Sequence, residues 1–66
     1  MTPGEQIRKE REALNLTAAQ LAERVFTTAN TVLRWERGEV ALSFKKLEML
    51  AKALELRVVV TLERIE

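Results

Sequence analysis

Residues 17–38 carry the pattern that most restricts what this chain can fold into. They read TAAQLAERVFTTANTVLRWERG, two apolar runs at helical spacing, separated by a short break and closed by a glycine. Ala18, Leu21, Ala22 and Val25 stand at i, i+3, i+4 and i+7, so they line one face of a helix. Ala29, Val32 and Trp35 continue that spacing after the break at Phe26-Thr27-Thr28. Helices of roughly two turns are unstable alone in water, so both must share a core with their neighbours. The second helix then turns Thr28, Asn30, Thr31, Arg34 and Arg37 outward. Hydroxyls, an amide and guanidinium groups on one ridge suit phosphates and base edges.

With 66 residues the chain is one small domain, close to the lower limit for an unaided core. An apolar content of 47% beside 32% charged residues is that of a folded protein, not a disordered one. Cysteine, histidine and aspartate are all absent. No disulfide, zinc site, imidazole base or catalytic triad can be built, so neither an enzyme nor a cofactor is expected. No apolar run approaches the ~20 residues of a membrane span, and the start MTPGEQIRKE does not read as a signal peptide. A soluble cytoplasmic protein without a membrane partner is the expectation.

The net charge of +1 says little about partners, but its distribution says more. Residues 1–16 are balanced, residues 17–46 carry +2 and residues 47–66 carry −1. The positive excess, from Arg24, Arg34, Arg37, Lys45 and Lys46, surrounds the two central helices and the loop after them. Ordinary scatter of surface charge would give an excess this small often.

Thr2-Pro3-Gly4-Glu5 has the form of a helix start, with a capping hydroxyl, proline in the first turn and a glutamate that can close a capping box. The spacing predicts a helix from Pro3 to about Leu14, with Ile7 and Leu14 inward. Arg11 shares that inward face. Asn15 suits a left-handed stop. Thr17 and Gln20 form a second capping box, Thr27 or Thr28 caps the third helix, and Gly38 ends it. Ser43 opens a fourth helix with Leu47, Leu50, Ala51 and Leu54 on one stripe and Phe44 expected at the edge of the core. Lys45 and Lys46 fall in its first turn, where each cation opposes the helix dipole by ~0.3–1 kcal/mol. Two explanations fit them: solubility, or a site where helix amides and lysines together hold an anion.

From Leu56 the period changes. Leu56, Val58, Val60 and Leu62 alternate with Arg57, Val59, Thr61 and Glu63, which predicts a strand. A lone apolar strand leaves its backbone groups unpaired, and pairing with its own copy across a two-fold axis satisfies them. The competing reading is that the segment extends the fourth helix or frays.

Three runs, LTAAQLAERV (Leu16–Val25), TVLRWERG (Thr31–Gly38) and LEMLAKALEL (Leu47–Leu56), resemble the Cro/repressor (XRE) family of helix-turn-helix DNA-binding proteins. The likeness covers roughly residues 5–56, and the Leu21-to-Gly38 spacing fits without insertion. It implies an all-α, four-helix, lambda-repressor-like domain over residues 1–56, with residues 57–66 as a dimerising β-strand. That last segment is similar to the C-terminal strands of antitoxins, so a toxin is one implied partner. The implied dimerisation residues are Leu56, Val58, Val59, Val60 and Leu62.

By the same resemblance, Thr28, Ala29, Asn30, Thr31 and Arg34 match positions that face the major groove. Thr17 and Ala18 match positions near phosphate. Arg37, Lys45 and Lys46 match backbone contacts, and Arg11 and Glu36 match a buried ion pair. Phe26 stands where the family commonly has glycine, and Ala18 where it often has glutamine. Leu33 occupies an outward position that is usually polar, a candidate contact with a neighbouring chain.

Arg34 suits a guanine edge, a phosphate or a glutamate, and Asn30 suits an adenine edge or a helix start. The implied function is a homodimeric, sequence-specific regulator that represses by placing helix three in the major groove of an inverted-repeat operator. The alternatives are an antitoxin that regulates its own operon, or a module that binds protein only.

Overall fold

The computed structural model describes residues 2–59. Four helices follow one another: α1 (Pro3–Ala13), α2 (Ala18–Arg24), α3 (Ala29–Glu36) and α4 (Phe44–Ala53). Each begins the same way. Thr2, Thr17, Thr28 and Ser43 sit in extended conformation, and each hydroxyl accepts a hydrogen bond from the backbone N–H three residues on. That satisfies one of the amides left open at a helix start and is worth about 0.5–2 kcal/mol per cap.

The four helices also end alike. Asn15, Phe26, Gly38 and Glu55 each adopt a positive φ just past their helix, between 57° and 76°. In each case the next residue donates its N–H to a carbonyl five residues back: Leu16 to Arg11, Thr27 to Ala22, Glu39 to Arg34 and Leu56 to Ala51. This double-bonded stop turns the chain sharply, so the linkers can be short. Only one of the four positions is glycine.

The caps set where each helix starts and stops, and the apolar stripes decide how they pack. Ile7 of α1, Leu21 and Ala22 of α2, Val25 at its end, Val32 and Trp35 of α3, and Leu50 and Leu54 of α4 form one core. Leu21, Val32 and Leu50 lie at its centre, fully buried. A large side chain so placed contributes roughly 1.5–3 kcal/mol, and truncating Leu21 to alanine would cost about 2–5 kcal/mol.

Gly4 explains how α1 and α3 come so close. A Cβ built there would lie 2.3 Å from the carbonyl oxygen of Trp35 and 2.9 Å from that of Glu36. The first turn of α1 therefore lies directly against the last turn of α3, a contact that only a hydrogen side chain permits.

Three expectations are corrected. The first helix ends at Ala13, so Leu14 becomes its cap and stands 42% exposed instead of inward. Phe44, expected at the core edge, is 56% exposed because it opens α4 at the rim of the stripe. The strand is not seen: Leu56, Arg57, Val58 and Val59 have no assigned secondary structure, and no strand occurs among the described residues. Leu56, Val58 and Val59 instead line one wall of a groove whose floor is Ile7, Leu47 and Ala51. Val60 and Leu62 lie outside the described residues.

Candidate nucleic-acid interface

The site is built on α3, which α2 and α1 hold from behind. Val32, Trp35 and Glu36 face the interior of the molecule. Helical geometry then sends Asn30, Leu33, Arg34 and Arg37 to the opposite side, and all four are exposed. Among the described residues neither Asn30 nor Arg34 has a side-chain hydrogen bond or ion-pair partner. An unpaired amide and an unpaired guanidinium one turn apart present the donors and acceptors that base edges accept.

The hydroxyls at the start of α3 are used locally. Thr28 Oγ1 accepts from the Thr31 amide at 3.2 Å, and the two threonine hydroxyls share a hydrogen bond of 2.9 Å. Thr31 and Ala29 are half-buried. At the start of α2, Thr17 Oγ1 accepts from the Gln20 amide, and the Gln20 side-chain oxygen accepts from the Thr17 amide at 2.8 Å. Ala18 packs against the core, so its side chain is largely spoken for.

The five basic residues of the central region sort themselves by partner. Arg24 donates from Nη1 to the Ala53 carbonyl at 3.0 Å, tying the end of α2 to the end of α4. Its position in the last turn of α2 was the available signal for such a role, but the carbonyl comes from another helix. Arg37 Nε pairs with Glu39 at the surface. Lys46 holds its ammonium 5.3 Å from the centre of the Trp35 ring. Arg34 and Lys45 are left with no side-chain partner among the described residues. Surface pairs such as Arg37–Glu39 hold by less than about 1 kcal/mol, so a phosphate can compete for that guanidinium.

Behind the site, the Arg11 guanidinium joins three elements. Nε and Nη2 donate to the two carboxylate oxygens of Glu36 at 2.6 and 3.0 Å, and Nη1 donates to the Leu16 carbonyl at 2.7 Å. Hydrogen bonding to Glu36 raises the Arg11 pKa above its ordinary value, burial works against this, and the charges of Glu36 and Glu12 add to the rise. The clamp fixes the last turn of α3 against α1 and the linker into α2, which sets the angle of the outward ridge.

The described residues contain no group of histidine, cysteine, aspartate or glutamate side chains placed to hold a metal. No described helix is long and apolar enough to cross a membrane. No curated protein and no solved structure gives a significant match. A helix-turn-helix family model does match, over residues 7–60, which takes in most of α1 and all of α2, α3 and α4. On that match and this geometry, the chain belongs to the Cro/repressor (XRE) type of the helix-turn-helix family and is a DNA-binding protein.

Proposed function

We propose that this protein is a non-enzymatic, sequence-specific transcriptional repressor that acts as a homodimer on an inverted-repeat operator. The observation that carries the reading is the unpaired state of Asn30 and Arg34 on the outward ridge of α3, among the described residues. With no ion pair to break, the Arg34 guanidinium gives up only hydration when it takes a ligand. In a major groove it finds guanine O6 and N7 and is worth ~1–3 kcal/mol of discrimination. Thr17, Thr28, Arg37, Lys45 and Lys46 would then hold phosphates and set the register of the ridge.

A second copy, paired through the segment that begins at Leu56, would present two ridges to half-sites about 34–36 Å apart. Repression would follow from occupying a promoter.

The test is selection of duplexes from a random pool, followed by titration of the recovered sequence at two salt concentrations. A recovered inverted repeat, bound with affinity that falls steeply as salt rises, is the expected result. Failure to enrich any sequence, with no salt-dependent binding, would leave a module that binds protein only.

A further inference from the structure

Leu33 is the exposed apolar residue of α3. It lies on the outward side of α3, three residues after Asn30, beside Arg34 and four residues before Arg37. It is 37% exposed and belongs neither to the core cluster nor to the apolar residues packed against it. Its backbone is fully occupied in the helix, with its carbonyl accepting from the Arg37 amide at 3.0 Å. Only the isobutyl group, a little over a third of the residue's surface being open, is available for a contact.

We infer that Leu33 is a specificity-determining residue that reads the 5-methyl group of a thymine next to the base pairs read by Asn30 and Arg34. This rests on the DNA reading proposed above. Among the groups that base pairs present in the major groove, the thymine methyl is the apolar one, and it is the natural partner for an aliphatic side chain on a polar ridge. Helical spacing puts Leu33 on the same stripe as Asn30 and Arg37, so a ridge seated for those two brings the leucine to the groove floor as well. The contact removes apolar surface from water on both sides, so one methyl is worth roughly a three- to five-fold change in affinity.

The experiment uses the full-length chain and the duplex recovered by selection, with each thymine replaced in turn by deoxyuridine. That exchange removes one methyl and leaves every hydrogen-bonding group in place. The expected result is a three- to five-fold loss at one thymine in each half-site, and no loss at that position for Leu33→Ala. Leu33→Gln, which keeps length and helix propensity, should behave like Leu33→Ala and guards against a folding artefact.

Tight binding with no sensitive thymine, or a sensitivity that persists unchanged in both variants, overturns the role of Leu33 and leaves the DNA reading standing. A loss of self-association in Leu33→Ala without a change in thymine discrimination would assign the residue to a protein contact and overturn the inference. If no duplex is recovered at all, the DNA reading fails and this inference with it.

Discussion

Arg11 and Glu36 meet in a two-pronged ion pair across 25 residues of sequence, with donor–acceptor distances of 2.6 and 3.0 Å and less than a tenth of either residue exposed. The pair is fully satisfied, since the remaining guanidinium nitrogen donates to Leu16 and no buried side-chain polar atom lacks a partner among the described residues. Removing one member leaves the other charge buried alone. Glu36→Ala and Arg11→Ala should each cost about 3–5 kcal/mol, while Arg11→Met with Glu36→Leu should recover most of that. Chemical denaturation of the three variants checks it. The Arg11 pKa is raised in the folded state. Its contribution is therefore complete below the ordinary arginine titration and is lost only above the raised value, so the guanidinium gives no pH dependence between about pH 6 and 10.

The contact at Gly4 makes an opposite prediction to helix propensity. Alanine is favoured over glycine inside a helix by about 1 kcal/mol. Here its Cβ would meet two backbone carbonyl oxygens at 2.3 and 2.9 Å, neither of which can swing away as a side chain would. Gly4→Ala should destabilise by about 1–3 kcal/mol, because α1 must lift from α3. A thermal melt lowered by roughly 4–8 °C per kcal/mol would show it.

Phe26 carries the converse. It holds φ at 58° with its ring 95% exposed, so the strain is not offset by packing. The left-handed conformation costs a non-glycine residue about 1–2 kcal/mol, and glycine's larger unfolded-state entropy takes back about 0.5–1 kcal/mol. Phe26→Gly should therefore gain about 0.5–1 kcal/mol, measured as a higher denaturant midpoint. A loss would mean the ring makes a contact that stabilises the fold.

Arg34 and Lys45, both without a side-chain partner among the described residues, should separate by role. Arg34→Ala should lower affinity for the selected duplex and relax preference at one base pair. Lys45→Ala should weaken all duplexes about equally and reduce the salt slope by about one. Binding isotherms on matched and single-substituted duplexes at two salt concentrations distinguish them.

Val59 tests the dimer. Its side chain is 74% exposed in the single chain, next to half-buried Val58. Under the proposed pairing, sedimentation of the full chain should give a dimer, and Val59→Lys should shift it toward monomer by placing like charges across the two-fold. An unchanged dimer would put the interface elsewhere.

Much of the helical framework was written locally. Each hydroxyl cap bonds an amide three residues away, and each apolar stripe repeats every three or four residues, so Thr17 with Leu21, or Ser43 with Leu47, could be read without knowing what lay opposite. The same locality explains the errors at Leu14 and Phe44. Leu14 falls one residue past the end of α1 and Phe44 is the first residue of α4, and a local period does not say where along a stripe burial ends.

By itself, then, the sequence determined four capped helices, their inward stripes and the polar ridge of α3. The tertiary structure alone decided what the cations and the glycine do. Arg24 finds the carbonyl of Ala53, so one of the five basic residues in the central region ties two helices together, and Lys46 stands over the ring of Trp35 with its ammonium still at the surface. Gly4 is required only because the end of α3 lies against it. Such roles depend on how helices cross, and crossing is set by the summed fit of side chains from distant parts of the chain, which no local pattern records.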